Sequence, residues 1–309
     1  MTDRLYRNRI DNWDFKPAAT YLYNSPAHLQ LQASRGWTTF ELLDEKSEQV
    51  QARISFYIRA HAAASPLKAP FGSCEVYARI SQTRIKHFFL YIEATLRQRG
   101  VKQITIKSYP VKYHPAFSNM LDAVLRSRDF TRIEEVSSVI EVNRQPLSKR
   151  MKISERQKLV KAQRSFVFRQ LDIQSLSRVY RFIAGCRREK GHALSMSLGQ
   201  LRKTSAALPG KFMLFEVAND AERAAAAIVI QVSHTTWYTF YYAHASKFNK
   251  ISPVVHLLAG IYRSAQAQKV KRIDLGTSML GEKVNKSLLH FKSGIGAATN
   301  AKYTYTKVW

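Results

Sequence analysis

Cysteine is scarce: the two in the chain, Cys74 and Cys186, lie far apart and are too few for a disulfide framework, as expected of a cytoplasmic chain with free thiols. Long apolar runs are absent. The longest, 224–230, is strand-sized and falls well short of the ~18 residues that would span a bilayer. The first fifteen residues, MTDRLYRNRIDNWDF, are charged and have no apolar stretch of the kind a signal peptide carries. Acidic residues are also few, 22 against 49 Lys and Arg, which leaves a net charge of +27. What is plentiful is core-forming material: 16 Phe, 15 Tyr and 4 Trp in a chain that is 45% hydrophobic exclude a disordered or collagen-like polymer. At ~100–200 residues per domain, 309 residues suggest two domains.

The positive charge is unevenly spread. Residues 1–149 carry a net +8 and residues 150–309 a net +19, so the second half is the expected polyanion surface, suited to tRNA, DNA or an anionic membrane. Periodicity organises the rest. Residues 38–60 read as a hairpin and 65–73 as a Pro/Gly loop. An amphipathic helix over 82–99 turns Ile85, Phe88, Phe89, Ile92 and Leu96 to one face, and a short strand follows at 101–107. Pro115 opens a second helix with Phe117, Met120, Leu121 and Leu125 inward, and 131–142 is a strand. A basic helix over 147–164 leads to a strand, two helices, three meandering strands ending near 243 and a helix from Pro253 to Gln268. The strand RIDLG, a helix ending at Gly294 and a last strand complete the chain.

The halves repeat each other. FELLDEKSEQVQARISF from Phe40 aligns with FEVANDAERAAAAIVIQ from Phe215 at an offset of 175, and VKQITI from Val101 aligns with VKRIDL from Val270 at an offset of 169. The order of elements around both pairs is the same. The sequence thus reads as a duplicated α/β (α+β) domain, residues 1–146 and 147–309, each copy a mainly antiparallel mixed sheet flanked by helices.

That order of elements is similar to the GNAT acyltransferase fold, and at the level of segments the chain resembles the FemAB-type transferases. LSKRMKISERQKLVKAQR (147–164) looks like the basic helix that opens their second domain. TFYYAHASKFNKISPVVHLL, IDLGTS and LLHFKSGIG resemble their C-terminal blocks, so the likeness covers mainly 147–309. APFGS at 69–73 looks like a loop of related tandem proteins, which brings in Phe71, Gly72 and Ser73 as substrate-binding candidates. The resemblance implies two GNAT-like domains in tandem and transfer of an acyl or aminoacyl group onto an amine held in a cleft between them. The co-substrate would be an acyl donor (aminoacyl-tRNA, an acyl carrier or acyl-CoA), with no tightly bound cofactor.

One stretch departs from the acyl-CoA branch. FNKISPVVHLL has no glycine where such enzymes cradle pyrophosphate at a helix N-terminus, although Ser252 suits an N-cap and Pro253 the first helical position. The expected partners are therefore tRNA or an acyl-carrier protein together with an amine-bearing acceptor.

The chemistry is sought in the last blocks. Lys292 follows Leu288 and Leu289 at helical spacing, so it points along the apolar face or its edge, where an ammonium can stabilise the oxyanion of a tetrahedral intermediate. The resemblance implies that role for the lysine of the Phe291–Lys292 pair, and Lys292→Ala is expected to fold and to lose turnover. Asp274 closes a strand before Gly276 and Ser278; it either holds or deprotonates the incoming ammonium, or serves as a loop-capping carboxylate. Tyr241 and Tyr242 alternate, so one faces the core and the other a cleft where it can donate to a leaving group. Lys283 and Lys286 are candidates for phosphate contact. The nine histidines show no ligand-like spacing, so no metal is expected, and no G-x-S-x-G elbow points to a covalent intermediate. Two other readings stay open: an acyl-CoA-dependent N-acyltransferase, and a non-catalytic nucleic-acid-binding protein using the basic helix.

Overall fold

The computed structural model describes residues 5–309. In chain order its first elements are β1 (Tyr6–Ile10), α1 (Pro26–Gln32), β2 (Trp37–Leu43), β3 (Val50–Arg59), β4 (Ala62–Ser65), β5 (Glu75–Val76), α2 (Gln82–Gln98), β6 (Gln103–Lys107), α3 (Pro115–Arg126) and β7 (Thr131–Glu141). There follow α4 (Ile153–Ser165), β8 (Val167–Leu171), α5 (Leu176–Arg188), α6 (Leu198–Ala207), β9 (Phe212–Ala218), β10 (Arg223–Ser233), β11 (Thr236–His244) and α7 (Pro253–Ala267). The chain ends with β12 (Arg272–Thr277), the small hairpin β13 (Met279–Leu280) and β14 (Lys283–Val284), α8 (Lys286–Gly294) and β15 (Ala298–Val308).

Two compact units result. One comprises the residues up to Glu135 together with Asn300–Trp309; the other is Val136–Thr299. The final strand thus goes with the first unit, whereas the boundary read at 147 places it with the second. β7 starts in the first unit and runs on into the second.

In the first unit the strand order is β1-β2-β3-β4-β6-β15. All neighbours are antiparallel except β4 and β6, which pair in parallel. The residues read as the inward face of α2 are all buried, and Ser81 caps the helix by accepting the N–H of Arg84 at 3.3 Å. On α3 Phe117, Leu121 and Leu125 are buried as expected, Met120 is half-buried, and Val124 joins the buried face.

The second unit repeats the plan as β8-β9-β10-β11-β12-β7, with β11 and β12 as the parallel pair. β10 is apolar on both faces because α5 lies on one side and α7 on the other. α7 is buried from Pro253 to Tyr262, and at Gly260 a Cβ would fall 2.1 Å from the Phe168 ring, so only glycine lets β8 lie against the helix there.

The basic segment is shorter as a helix than its sequence suggests. A 3₁₀ turn at Leu147–Lys149 precedes α4, and Leu147, Met151, Leu159 and Ala162 are buried, with α4 packed on α7. Both cysteines are free and buried, and no helix of the described residues is long and apolar enough to cross a membrane.

Candidate active site

The parallel pairing of β11 with β12 ends early. Thr236, Trp237 and Tyr238 register with Arg272, Ile273 and Asp274, after which both strands continue without pairing to each other. Asp274 therefore sits where the two strands part. It is 3% exposed, and its Oδ1 accepts the N–H of Gly276 at 2.7 Å, folding the chain back on itself. Gly276 adopts φ +71°, which glycine takes without steric cost, and a Cβ there would come within 3.3 Å of the Tyr238 ring.

Lys292 reaches this strand end from α8. Asn285 caps α8 by accepting the N–H of Leu288, so the helix starts at Lys286 and its last turn carries Lys292 inward. The side chain is 1% exposed, and its Nζ donates to the carbonyl oxygens of Gly276 at 2.8 Å and Thr277 at 3.0 Å. Burial lowers the ammonium to about 8, an effect the nearby Asp274 carboxylate opposes. A cation so held is fixed in place, still mostly charged at neutral pH, and shielded from water: the properties needed to stabilise a developing oxyanion.

The structure thus brings Lys292, Asp274 and Gly276 together. Ser278 is fully buried beside them; its N–H donates to the Val136 carbonyl, its own carbonyl accepts the N–H of Asn285, and its hydroxyl has no partner among the described residues. Phe291 is half-buried against the hydrophobic core, and His290 is exposed. Lys283 and Lys286 are exposed before and at the start of α8. Tyr241 and Tyr242 do divide between the two faces of β11. Tyr242 packs against the α7 side of the core, where burial raises its phenol to about 12. Tyr241 lies on the α5 side, with its hydroxyl 2.6 Å from Ser195 Oγ and accepting the N–H of Met196 at 3.0 Å. Phe71, Gly72 and Ser73 belong to the first unit: Phe71 is buried among Tyr21, Tyr23, Tyr109 and Tyr113, the Gly72 N–H donates to the Lys107 carbonyl, and Ser73 is buried with φ +85°.

The sequence reading missed Tyr238, Thr239 and Thr277. Thr239 Oγ1 donates to the Asp274 carbonyl at 3.1 Å, and Thr277 supplies one of the two acceptors for Lys292. Only pairing across the sheet discloses them. The reading of Ser252 as a cap needs correction. It occupies the cap position of α7 with φ +54°, and its side chain accepts no hydrogen bond there; Pro253 does stand at the first helical position.

Residues 148–292 match the family described as Acetyltransferase (GNAT) domain. None of the curated proteins matches the sequence. Among solved structures the fold is similar to that of FemX, with a TM-score of 0.69 at 12% identity over 93% of this chain and 92% of that one. The C-terminal domain of a putative lysylphosphatidylglycerol synthetase from Agrobacterium fabrum aligns with a TM-score of 0.52 at 10% identity, covering 83% of this chain and 81% of that one. A GCN5-related N-acetyltransferase from Sphaerobacter thermophilus aligns with a TM-score of 0.51 at 8% identity, covering 100% of this chain and 96% of that one. The stretch that holds β8 to β12, α7 and Lys292 is thus similar to GNAT acetyltransferase domains, and the chain as a whole shares the fold of FemX.

Proposed function

We propose that the chain moves an acyl or aminoacyl group from a tRNA-linked or carrier-linked donor onto an amine, and that the reaction takes place where β12 ends against α8. The observation that carries this reading is the buried Lys292 ammonium, fixed by the Gly276 and Thr277 carbonyls beside Asp274. Asp274 takes a proton from the incoming ammonium, and the freed amine attacks the donor carbonyl. The new C–N bond leaves a tetrahedral oxyanion, which Lys292 stabilises. The C–O or C–S bond to the carrier then breaks, and the leaving oxygen or sulfur takes up the second proton, which the attacking nitrogen gives up as it becomes an amide.

Two features favour a tRNA-linked or carrier-linked donor over acyl-CoA. The first turn of α7 offers no open cradle of N–H groups: it has no glycine, and Pro253, Val254, Val255 and His256 are all buried. Burial and Arg263 hold the His256 imidazole at about 4, so it is neutral and brings no cation for a pyrophosphate. The net +19 of residues 150–309 suits a polyanionic carrier.

Competition between bulk tRNA and random duplex DNA at ~150 mM salt tests the donor, since that salt strips away purely electrostatic binding. Clear preference for tRNA supports an aminoacyl-tRNA donor. Equal loss of both, with tight binding of CoA by calorimetry, turns the reading to an acyl-CoA N-acyltransferase.

A further inference from the structure

The α5 side of β11 carries a cation that its own unit leaves uncompensated. A bulge at Phe240 shifts the register of β11 against β10, so Tyr238 pairs with Ile230 and Tyr241 with Ile228, and both tyrosines share the face that α5 covers. From α5 the guanidinium of Arg187 lies over the Tyr241 ring, 6.0 Å from its centroid. Arg187 is half-buried, and its guanidinium has no hydrogen-bond or ion-pair partner among the described residues. Other partly buried arginines of this unit are matched: Arg223 pairs with Glu216, and Arg150 donates to the Glu141 carbonyl and the Tyr262 hydroxyl. A partly desolvated guanidinium without an acceptor is costly to keep, and its planar fork suits carboxylate or phosphate.

Tyr238 links this cation to the reaction centre. Its ring lies against Gly276, whose carbonyl holds Lys292, and it stands in register with Asp274. The Tyr238 hydroxyl likewise has no partner among the described residues. Burial and the Asp274 charge keep that phenol protonated far above neutral pH, with Arg187 pulling the other way, so at pH 7 it presents an O–H donor. A carboxylate at Asp274 and a guanidinium at Arg187 thus flank one tyrosine. That is the pattern of charge complementary to a molecule bearing both an ammonium and an anion.

We propose that Arg187 and the Tyr238 hydroxyl form an anion-recognition point, and that the amine acceptor carries a carboxylate or phosphate group that seats there while its ammonium faces Asp274. The assignment of the ammonium rests on the transfer reading above; the anion point itself is tested without turnover. Protein labelled with ¹³C on its tyrosine rings, with the Tyr238 signal assigned through Tyr238→Phe, is titrated separately with acetate and with inorganic phosphate. Wild type is expected to show a saturable shift of the Tyr238 signal. Arg187→Gln should fold normally by circular dichroism and weaken the anion by about tenfold or more, with Arg187→Lys in between. Tighter acetate than phosphate identifies a carboxylate, and the reverse a phosphate.

No saturable shift with either anion, or equal affinity in Arg187→Gln, overturns the proposal. Lys292→Met separates the two readings, because it should bind the anion like wild type whatever it does to turnover. If it keeps full turnover while anion binding still requires Arg187, the role of Lys292 falls and the anion point stands.

Discussion

The two units share one strand order, yet they treat buried charge differently. At the offset that aligns Val101–Ile106 with Val270–Leu275, the half-buried Thr105 stands where the second unit has the buried Asp274. The helix that follows β6 buries Phe117, Leu121, Val124 and Leu125, whereas the helix that follows β12 buries Lys292. The topology therefore does not require a lysine at that place. The first unit does bury charge, but fully matched. Glu75 accepts the N–H groups of Thr20 and Tyr21, the Asn24 amide and the Tyr77 hydroxyl, and Glu41 pairs with Arg53 and Arg7. Matched charges hold a structure together. In the second unit the buried Lys292 ammonium rests on two carbonyls, and the Arg187 guanidinium has no hydrogen-bond or ion-pair partner among the described residues, which is the contrast our proposals rest on.

The largest effect expected is on the matched side. Arg53 is 3% exposed and bonds Glu41 together with the Lys16 and Pro17 carbonyls. Arg53→Met leaves Glu41 buried with its weaker partners and should cost about 3–5 kcal/mol in denaturant unfolding. In the second unit Glu216 stands where Glu41 does at the offset of 175, but it pairs with Arg223, which does not occupy the place of Arg53. That pair is more open to water, and Arg223→Met should cost about 2 kcal/mol. Equal losses would contradict the contrast in burial.

Next comes Lys292. Because its side chain is fully buried, alanine would leave a cavity, and Lys292→Met is the better replacement for a variant that must stay folded. Turnover should fall about 10²–10³-fold, the usual cost of losing an oxyanion donor, with the far-ultraviolet spectrum unchanged. Wild-type turnover in this variant would make the lysine a structural feature.

How much of this was legible in the sequence depends on the range of the interactions. The hairpin β2–β3 and its repeat β9–β10 showed through alternation, and the inward set of α2 through its spacing, because both are local. The direction of Lys292 followed from Leu288 and Leu289 on the same helix. The strand that closes each sheet did not show, since periodicity does not say whether β7 or β15 pairs with a given neighbour. β1 and α1, within the first 36 residues, carry too short a pattern to read. The narrow apolar stripe of α4 was hidden among lysines and arginines spread around its circumference. The Tyr238–Arg187 relation depends on one extra residue, Phe240, which sets Tyr241 on the same face as Tyr238.

A pH series sharpens the contrast further. Burial holds the Lys292 ammonium at about 8, below the ~10.4 of an unfolded lysine, so the unfolded chain binds more protons between these values and stability rises with pH across that window. The cost of burying the charge, on the order of 3 kcal/mol, is fully present below pH 8 and gone above ~10.4. Wild type measured against Lys292→Met should therefore gain stability from pH 8 to ~10.4, while its turnover falls as the ammonium is lost. If stability and turnover fell together, a role for the charged lysine in holding the fold would be indicated.

The smallest effect compares two serines in equivalent places. Ser81 precedes α2 and accepts the N–H of Arg84; Ser252 precedes α7 in a left-handed conformation and caps nothing. Ser81→Ala should lower stability by about 1 kcal/mol, and Ser252→Ala should leave it nearly unchanged. Ser252→Gly goes further, because glycine adopts φ +54° without the steric penalty of a β-carbon, so it should stabilise the chain by up to about 1 kcal/mol. A residue kept at that cost, before a helix whose first turn is closed to solvent, is not explained by capping. If Ser252→Gly destabilises instead, the hydroxyl makes a contact that matters more than the backbone strain, and the start of α7 is built differently from the start of α2.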